Sequence, residues 1–196
     1  MLNLPVQSKY ITAPIILIIV MAGLELLQPT SAQLFGFYPE KILNGELWRM
    51  VTGQLLHTNI THLLLNCGGF LLIWALHGEY YGKRQFSILL LSSLLLVGIS
   101  LMLFAEYRHY AGMSAIIHTF IIYGAIQDIL NKDKTGWLIV LGVFLKVVYE
   151  NVYGASESTI EMINANVAVE AHLLGVLAGL VLAALLPNKT IKKGQS

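Results

Sequence analysis

Six apolar stretches, roughly 11–28, 57–76, 86–105, 112–130, 135–153 and 167–186, dominate this chain. Each is close to the ~20 residues a helix needs to cross a bilayer. Composition agrees. Of 196 residues 56% are hydrophobic and 12% charged, with a mean hydropathy of +0.69, whereas a soluble domain carries about 25% charged residues. The expectation is an all-α integral membrane protein, a single domain over 1–196 with six transmembrane helices. The first stretch follows Lys9 and precedes TSAQ, as a secretory signal would, but its length and the helices after it favour a retained span. The net charge of +1 and the lack of a basic stripe argue against a nucleic-acid partner. The single cysteine, Cys67, rules out an intrachain disulfide framework and reads as a small core residue.

Six spans put both termini on one side. Lys9, Lys83, Arg84, Lys132, Lys134, Lys189, Lys192 and Lys193 share that side, against Lys41, Arg49 and Arg108 opposite, with Lys146 inside span five. This bias predicts cytoplasmic termini. Glu150, Glu157 and Glu161 follow or end span five without a basic residue in the loop, as expected outside. The long first loop (29–56) is aromatic and amphipathic and suits the outer interface.

Spans two, four and six then all run inward from the outer face, and each opens with polar residues. Span two begins with His57, His62 and Asn66, span four with Gly112-Met113-Ser114, and span six carries His172 about five residues from its start. Polar groups at such depths face a bundle interior or a watery cavity. A serine hydroxyl is a weak nucleophile without an adjacent base. His172 is suited to take the Ser114 proton and return it to a leaving amine. Gly175 and Gly179, at +3 and +7 from His172, let helix backbones approach, and Gly112 reduces bulk beside Ser114. His62 and Asn66, spaced i, i+4, share a helix face and can supply donors to a tetrahedral oxyanion, together with the Ser114 N–H.

These residues resemble the rhomboid family of intramembrane serine proteases, from about 48 to 180. The resemblance rests on Trp48-Arg49, the HxxxxHxxxN pattern of His57, His62 and Asn66, the GxS of Gly112-Met113-Ser114, and Ala171-His172 followed by Gly175 and Gly179. It implies Ser114 as nucleophile, His172 as base, His62 and Asn66 near the oxyanion, and His57, Trp48 and Arg49 as supports. Two positions depart from the family. Ala115 stands where a second glycine is usual, a change expected to alter only local packing. His118 stands where a tyrosine often stacks on the catalytic histidine, and it either stacks on or hydrogen-bonds His172. No carboxylate is in an evident position to complete a triad. His118, KVVYE (146–150) and AVEAHLLG (168–175) further resemble the rhombosortase branch. That branch implies a bacterial inner-membrane enzyme, with its site open to the extracytoplasmic side, that removes C-terminal Gly-Gly-type membrane anchors.

Simpler roles compete for several of these residues. A serine in a membrane helix commonly bonds its own i−4 carbonyl, the reading preferred for Ser92, Ser93 and Ser100. His62 and Asn66 also suit ties between helices. His77 and His109, near span ends, are expected to meet water, and Glu170 to serve at the interface. Two other functions stand beside proteolysis. One is a rhomboid-like binding or quality-control factor without activity, which would ordinarily lack the serine–histidine pair. The other is a histidine-based metal or proton transporter, disfavoured by the missing HExxH and intramembrane carboxylate cluster. No metal or other cofactor is implied. The partners expected are membrane-anchored protein substrates and the bilayer; the sequence leaves oligomeric state open.

Overall fold

The computed structural model describes residues 4–187. Lys189, Lys192 and Lys193, which contribute to the predicted charge bias, lie outside them. The described residues form ten α-helices and no strands. Long helices are α1 (Ser8–Leu26), α5 (Ile60–His77), α6 (Lys83–Phe104), α7 (Ser114–Leu130), α8 (Thr135–Tyr153) and α10 (Val169–Leu185). Short helices α2 (Thr30–Phe35), α3 (Pro39–Leu43) and α4 (Arg49–Thr52) fill the first loop, and α9 (Glu157–Ile163) lies between α8 and α10. Each predicted span coincides with one long helix, shifted by a few residues at the ends.

Four helices, α1, α5 (continued by a 3-10 turn to Tyr80), α6 and α8, are long and apolar enough to cross a membrane, while α7 and α10 are shorter apolar helices of 17 residues each. Leucines, isoleucines and aromatics stand exposed along the long helices, for example Ile16 and Ile19 on α1, Leu64 and Leu72 on α5, and Trp137, Leu138 and Phe144 on α8. Apolar surface on this scale requires a lipid solvent. The chain is an integral membrane protein.

The bundle is built around α7. Its Phe120 packs edge-on against Phe70 of α5 at 5.7 Å and at a tilt against Phe86 of α6 at 5.4 Å, and Tyr81 donates to the Phe120 carbonyl at 2.8 Å. On the other side α7 meets α10 with almost no side chain between the backbones. A Cβ on Gly175 would collide with the Ala115 carbonyl, and one on Gly179 would lie 2.8 Å from the Thr119 carbonyl oxygen. The approach lets Thr119 donate across the seam to the Gly175 carbonyl at 2.9 Å. The predicted close approach at Gly175 and Gly179 is therefore what the structure shows. Ala115 is fully buried there, its backbone against Gly175.

At the far end of the bundle from Ser114, His77 contacts Asp128 at 3.0 Å and Tyr80 donates to the same carboxylate at 2.8 Å. His77 is buried, which corrects the expectation that it meets water. Burying an ionisable ring requires a partner, and Asp128 on α7 supplies it. The first loop is folded rather than merely interfacial. Arg49 is buried and donates to the Gly36 and Gln33 carbonyls, both at 3.0 Å, and to Glu46 at 2.6 Å. Its neighbour Trp48 stays exposed and donates to the Leu34 carbonyl at 3.3 Å. A single antiparallel bridge ties Phe37 to Tyr110, four residues before Ser114.

Candidate active site

The segment before α7 sets the position of Ser114. Gly112 has φ +122°, and a side chain there would meet Cε1 of His62 at 2.8 Å and Nε2 at 2.9 Å. Backbone freedom and close approach both require glycine. Ser114 is the first residue of α7, so its N–H has no partner within the helix. His172 is the fourth residue of α10 and is buried. Because α7 and α10 start at the same end of the bundle, the two side chains meet across the glycine seam. Ser114 Oγ lies 3.0 Å from His172 Nε2.

His118, one turn after Ser114, stacks on His172 with ring centroids 4.4 Å apart and planes 19° apart. Its Nδ1 lies 2.7 Å from the Ser114 carbonyl oxygen. Of the two predicted contacts with His172, stacking is the one observed.

The expectation that no carboxylate completes the set is corrected. Glu150 Oε2 lies 2.8 Å from His172 Nδ1, and Lys146 Nζ lies 2.6 Å from the same oxygen. Lys146 Nζ also lies 3.2 Å from His118 Nε2. Glu150, expected with the acidic outer segment, is the fourth residue from the end of α8 and turns into the bundle. Helix α8 runs opposite to α7 and α10, so its C-terminal turn sits level with their first turns. The available signal was the K-x-x-x-E spacing, which puts two opposite charges on one face of an apolar helix.

Helix α5 brings His62 and Asn66 to the same end. Asn59 caps it, its side chain accepting from the His62 N–H at 2.8 Å. Asn66 donates to the His62 carbonyl at 3.1 Å. Both flank Gly112, since a Cβ there would touch His62 and lie 3.9 Å from Asn66 Nδ2. Thr58 anchors the His62 ring: its Oγ1 lies 3.1 Å from Nδ1 and donates to the Ile163 carbonyl at 2.7 Å, and its N–H donates to the same Nδ1 at 3.5 Å. His57 is buried edge-on against His62 at 5.1 Å, and burial, with a smaller push from His62, lowers it to about 3. The ring thus packs against His62 in its neutral form.

Above Ser114 a cavity of about 400 Å³ is lined by His62, Tyr107, Tyr110, Ser114, Asn166 and Ala168, among others. Glu170 lies near this cavity and accepts a hydrogen bond from Tyr107. His109 is exposed beside Tyr38. Among the described residues, no three histidine, cysteine, aspartate or glutamate side chains form a group that could hold a metal ion.

The Rhomboid domain family model matches residues 44–189. The chain belongs to the rhomboid family. This rhomboid is 26% identical over 154 residues to the putative rhomboid protease YdcA of Bacillus subtilis (strain 168), an overlap of 76% of this chain and 71% of that protein. It is 25% identical over 154 residues to the rhomboid protease GlpG of Photorhabdus laumondii, covering 74% of this chain and 50% of the relative. This rhomboid thus spans about half the length of that second relative. The matched segment contains Ser114, His172, His62, Asn66, Lys146 and Glu150.

Proposed function

We propose that this rhomboid hydrolyses peptide bonds of membrane-anchored proteins, with Ser114 as nucleophile and His172 as its base. Family membership and two relatives named as rhomboid proteases support the class, an intramembrane serine protease. The observation that carries the residue assignment is the 3.0 Å contact between Ser114 Oγ and His172 Nε2. His172 Nε2 takes the hydroxyl proton as Ser114 Oγ attacks the scissile carbonyl. The oxyanion develops beside the N-terminus of α7, where the Ser114 N–H and the Asn66 amide donate to it. His172 then protonates the leaving amine, and a water activated by the same ring releases the acyl group from Ser114. The retained pair and its contact favour this reading over a binding protein without activity.

The six long helices are read as six spans with cytoplasmic termini. The charge bias supports this orientation. At 17 residues α7 and α10 are each about 25 Å long, shorter than the ~30 Å hydrocarbon core. A helix that begins below the outer surface leaves space above its first turn, and the cavity over Ser114 occupies that space. Water thereby reaches a site that is otherwise walled by apolar helices. Substrate reaches it beside α8, the least embedded helix, and unwinds there, because an intact helix shields its carbonyls. A crosslink holding α8 to α5 is expected to stop cleavage of an anchored substrate, and unchanged cleavage would exclude this route.

The narrower reading is a bacterial inner-membrane enzyme, open to the extracytoplasmic side, that removes C-terminal Gly-Gly-type anchors. The resemblance of His118, KVVYE and AVEAHLLG to rhombosortases supports it. The deciding experiment is fluorophosphonate labelling of the purified protein, followed by cleavage in proteoliposomes of a reporter with a Gly-Gly motif, one membrane helix and a basic tail. Ser114→Ala and His172→Ala are each expected to abolish labelling and cleavage in a folded protein. Labelling that survives either change would reject the assignment. Cleavage indifferent to replacement of the Gly-Gly pair would reject the anchor specificity alone.

A further inference from the structure

We propose that Glu150 is the third member of a Ser114–His172–Glu150 triad, positioned by Lys146 within a closed ring of five residues. The inference rests on the reading of Ser114 and His172 as nucleophile and base. It assigns a role to the KVVYE segment, which the two-residue mechanism leaves unused.

A backbone carbonyl only accepts, so the 2.7 Å contact between His118 Nδ1 and the Ser114 carbonyl places a proton on His118 Nδ1. A neutral His118 then has a bare Nε2, which accepts from Lys146 Nζ at 3.2 Å. The ammonium also donates to Glu150 Oε2 at 2.6 Å. A carboxylate likewise only accepts, so the 2.8 Å contact with His172 places a proton on His172 Nδ1. His172 Nε2 is then bare and accepts from Ser114 Oγ at 3.0 Å. Each step leaves one choice of proton, and the ring closes on Ser114. Lys146 Nζ also lies 3.4 Å from His172 Nδ1. That approach follows from their shared acceptor, since both atoms carry protons pointing to Glu150 Oε2.

The assignment matters because only one tautomer of His172 is a base toward Ser114. The neutral ring must carry its proton on Nδ1, and Glu150 selects that form. When Nε2 takes the serine proton the ring becomes a cation with both nitrogens protonated, and Glu150, still a carboxylate, faces the new charge at 2.8 Å. Lys146 compensates the carboxylate in the resting state and fixes its position. The stacked His118 closes the other face of the ring. Glu150 touches no substrate atom, so its role is positioning and charge stabilisation through His172.

The test compares wild type, Glu150→Gln, Glu150→Asp and Lys146→Met in full-length protein in proteoliposomes. The readouts are fluorophosphonate labelling rate, kcat and KM on the anchored reporter, and the His172 tautomer by 15N NMR. Wild type establishes the active serine independently: absent labelling there refutes the Ser114–His172 reading, and only a labelled wild type tests the triad. Glu150→Gln is expected to lower kcat by about 10²–10⁴-fold, leave KM within about threefold, and shift the His172 proton away from Nδ1. Glu150→Asp should recover at least about tenfold of that loss. Lys146→Met, which leaves the carboxylate in place, should cost about tenfold. Should Glu150→Gln not fold, the double variant Lys146→Met/Glu150→Gln, which leaves no unpaired lysine, carries the same comparison. A glutamine variant within threefold of wild-type kcat, or one that loses kcat with the Nδ1 proton unmoved, overturns the proposal.

Discussion

Helices α7 and α8 are neighbours of similar length with opposite relations to the bundle. Eleven of the 17 residues of α7 are buried, against two of the 19 in α8, Gly136 and Val147. Helix α7 is surrounded by α5, α6, α8 and α10, whereas α8 presents Trp137, Leu141, Phe144 and Tyr149 outward. Both nevertheless contribute to one cluster, Ser114 and His118 from α7, Lys146 and Glu150 from α8. In lipid no hydrophobic force draws helices together, so packing and interhelical hydrogen bonds carry the association. Packing holds α7. Near the C-terminus of α8 the polar ring adds interhelical hydrogen bonds. At the opposite end of α8, Gly136 lies close against α7, where a Cβ would collide with the Ala125 carbonyl oxygen.

That contrast is breakable by substitution. The largest effect is expected from Phe120→Ala on α7, a fully buried ring touching Phe70, Phe86 and Tyr81. It should cost about 3–5 kcal/mol in reversible unfolding measured in detergent or bicelles. Gly112→Ala comes next. It forces an alanine to φ +122° and drives its methyl into His62, a strain of about 1–3 kcal/mol, with turnover falling more than stability because the displaced atoms border Ser114. Val147→Ala, the buried apolar side chain of α8, should cost about 1.5 kcal/mol. Leu141→Ala, on the outward face of α8, should lie within about 0.5 kcal/mol of wild type. Equal costs for Phe120→Ala and Val147→Ala would show α8 docked as firmly as α7.

Much of the helix layout was legible before any contact was known. The apolar stretch 86–105 became Lys83–Phe104 and 135–153 became Thr135–Tyr153, because continuous apolar sequence dictates where a helix is stable in lipid. The start of span two, expected at His57, moved to Ile60 because Asn59 caps the helix, leaving His57 in the preceding loop. The pairing of Ser114 with His172 was also within reach, since GxS and the glycines after His172 are local signals for a nucleophile and a close helix approach. Glu150 was not, because a charge near a span end reads equally well as part of a loop. His77 misled in the same way, its partner Asp128 being 51 residues away.

By itself the sequence determined the membrane helices, the glycines that bring α7 against α10, and the serine and histidine placed at their first turns. These follow from hydropathy, side-chain size and helical spacing, all of which act within a short stretch of chain. Only the tertiary structure decided that α8 brings Glu150 and Lys146 to His172, that His118 stacks on His172, and that Thr58 anchors the His62 ring at Nδ1. Those outcomes depend on which atoms from distant segments come within hydrogen-bond reach, and the rotation of one helix against another sets that distance.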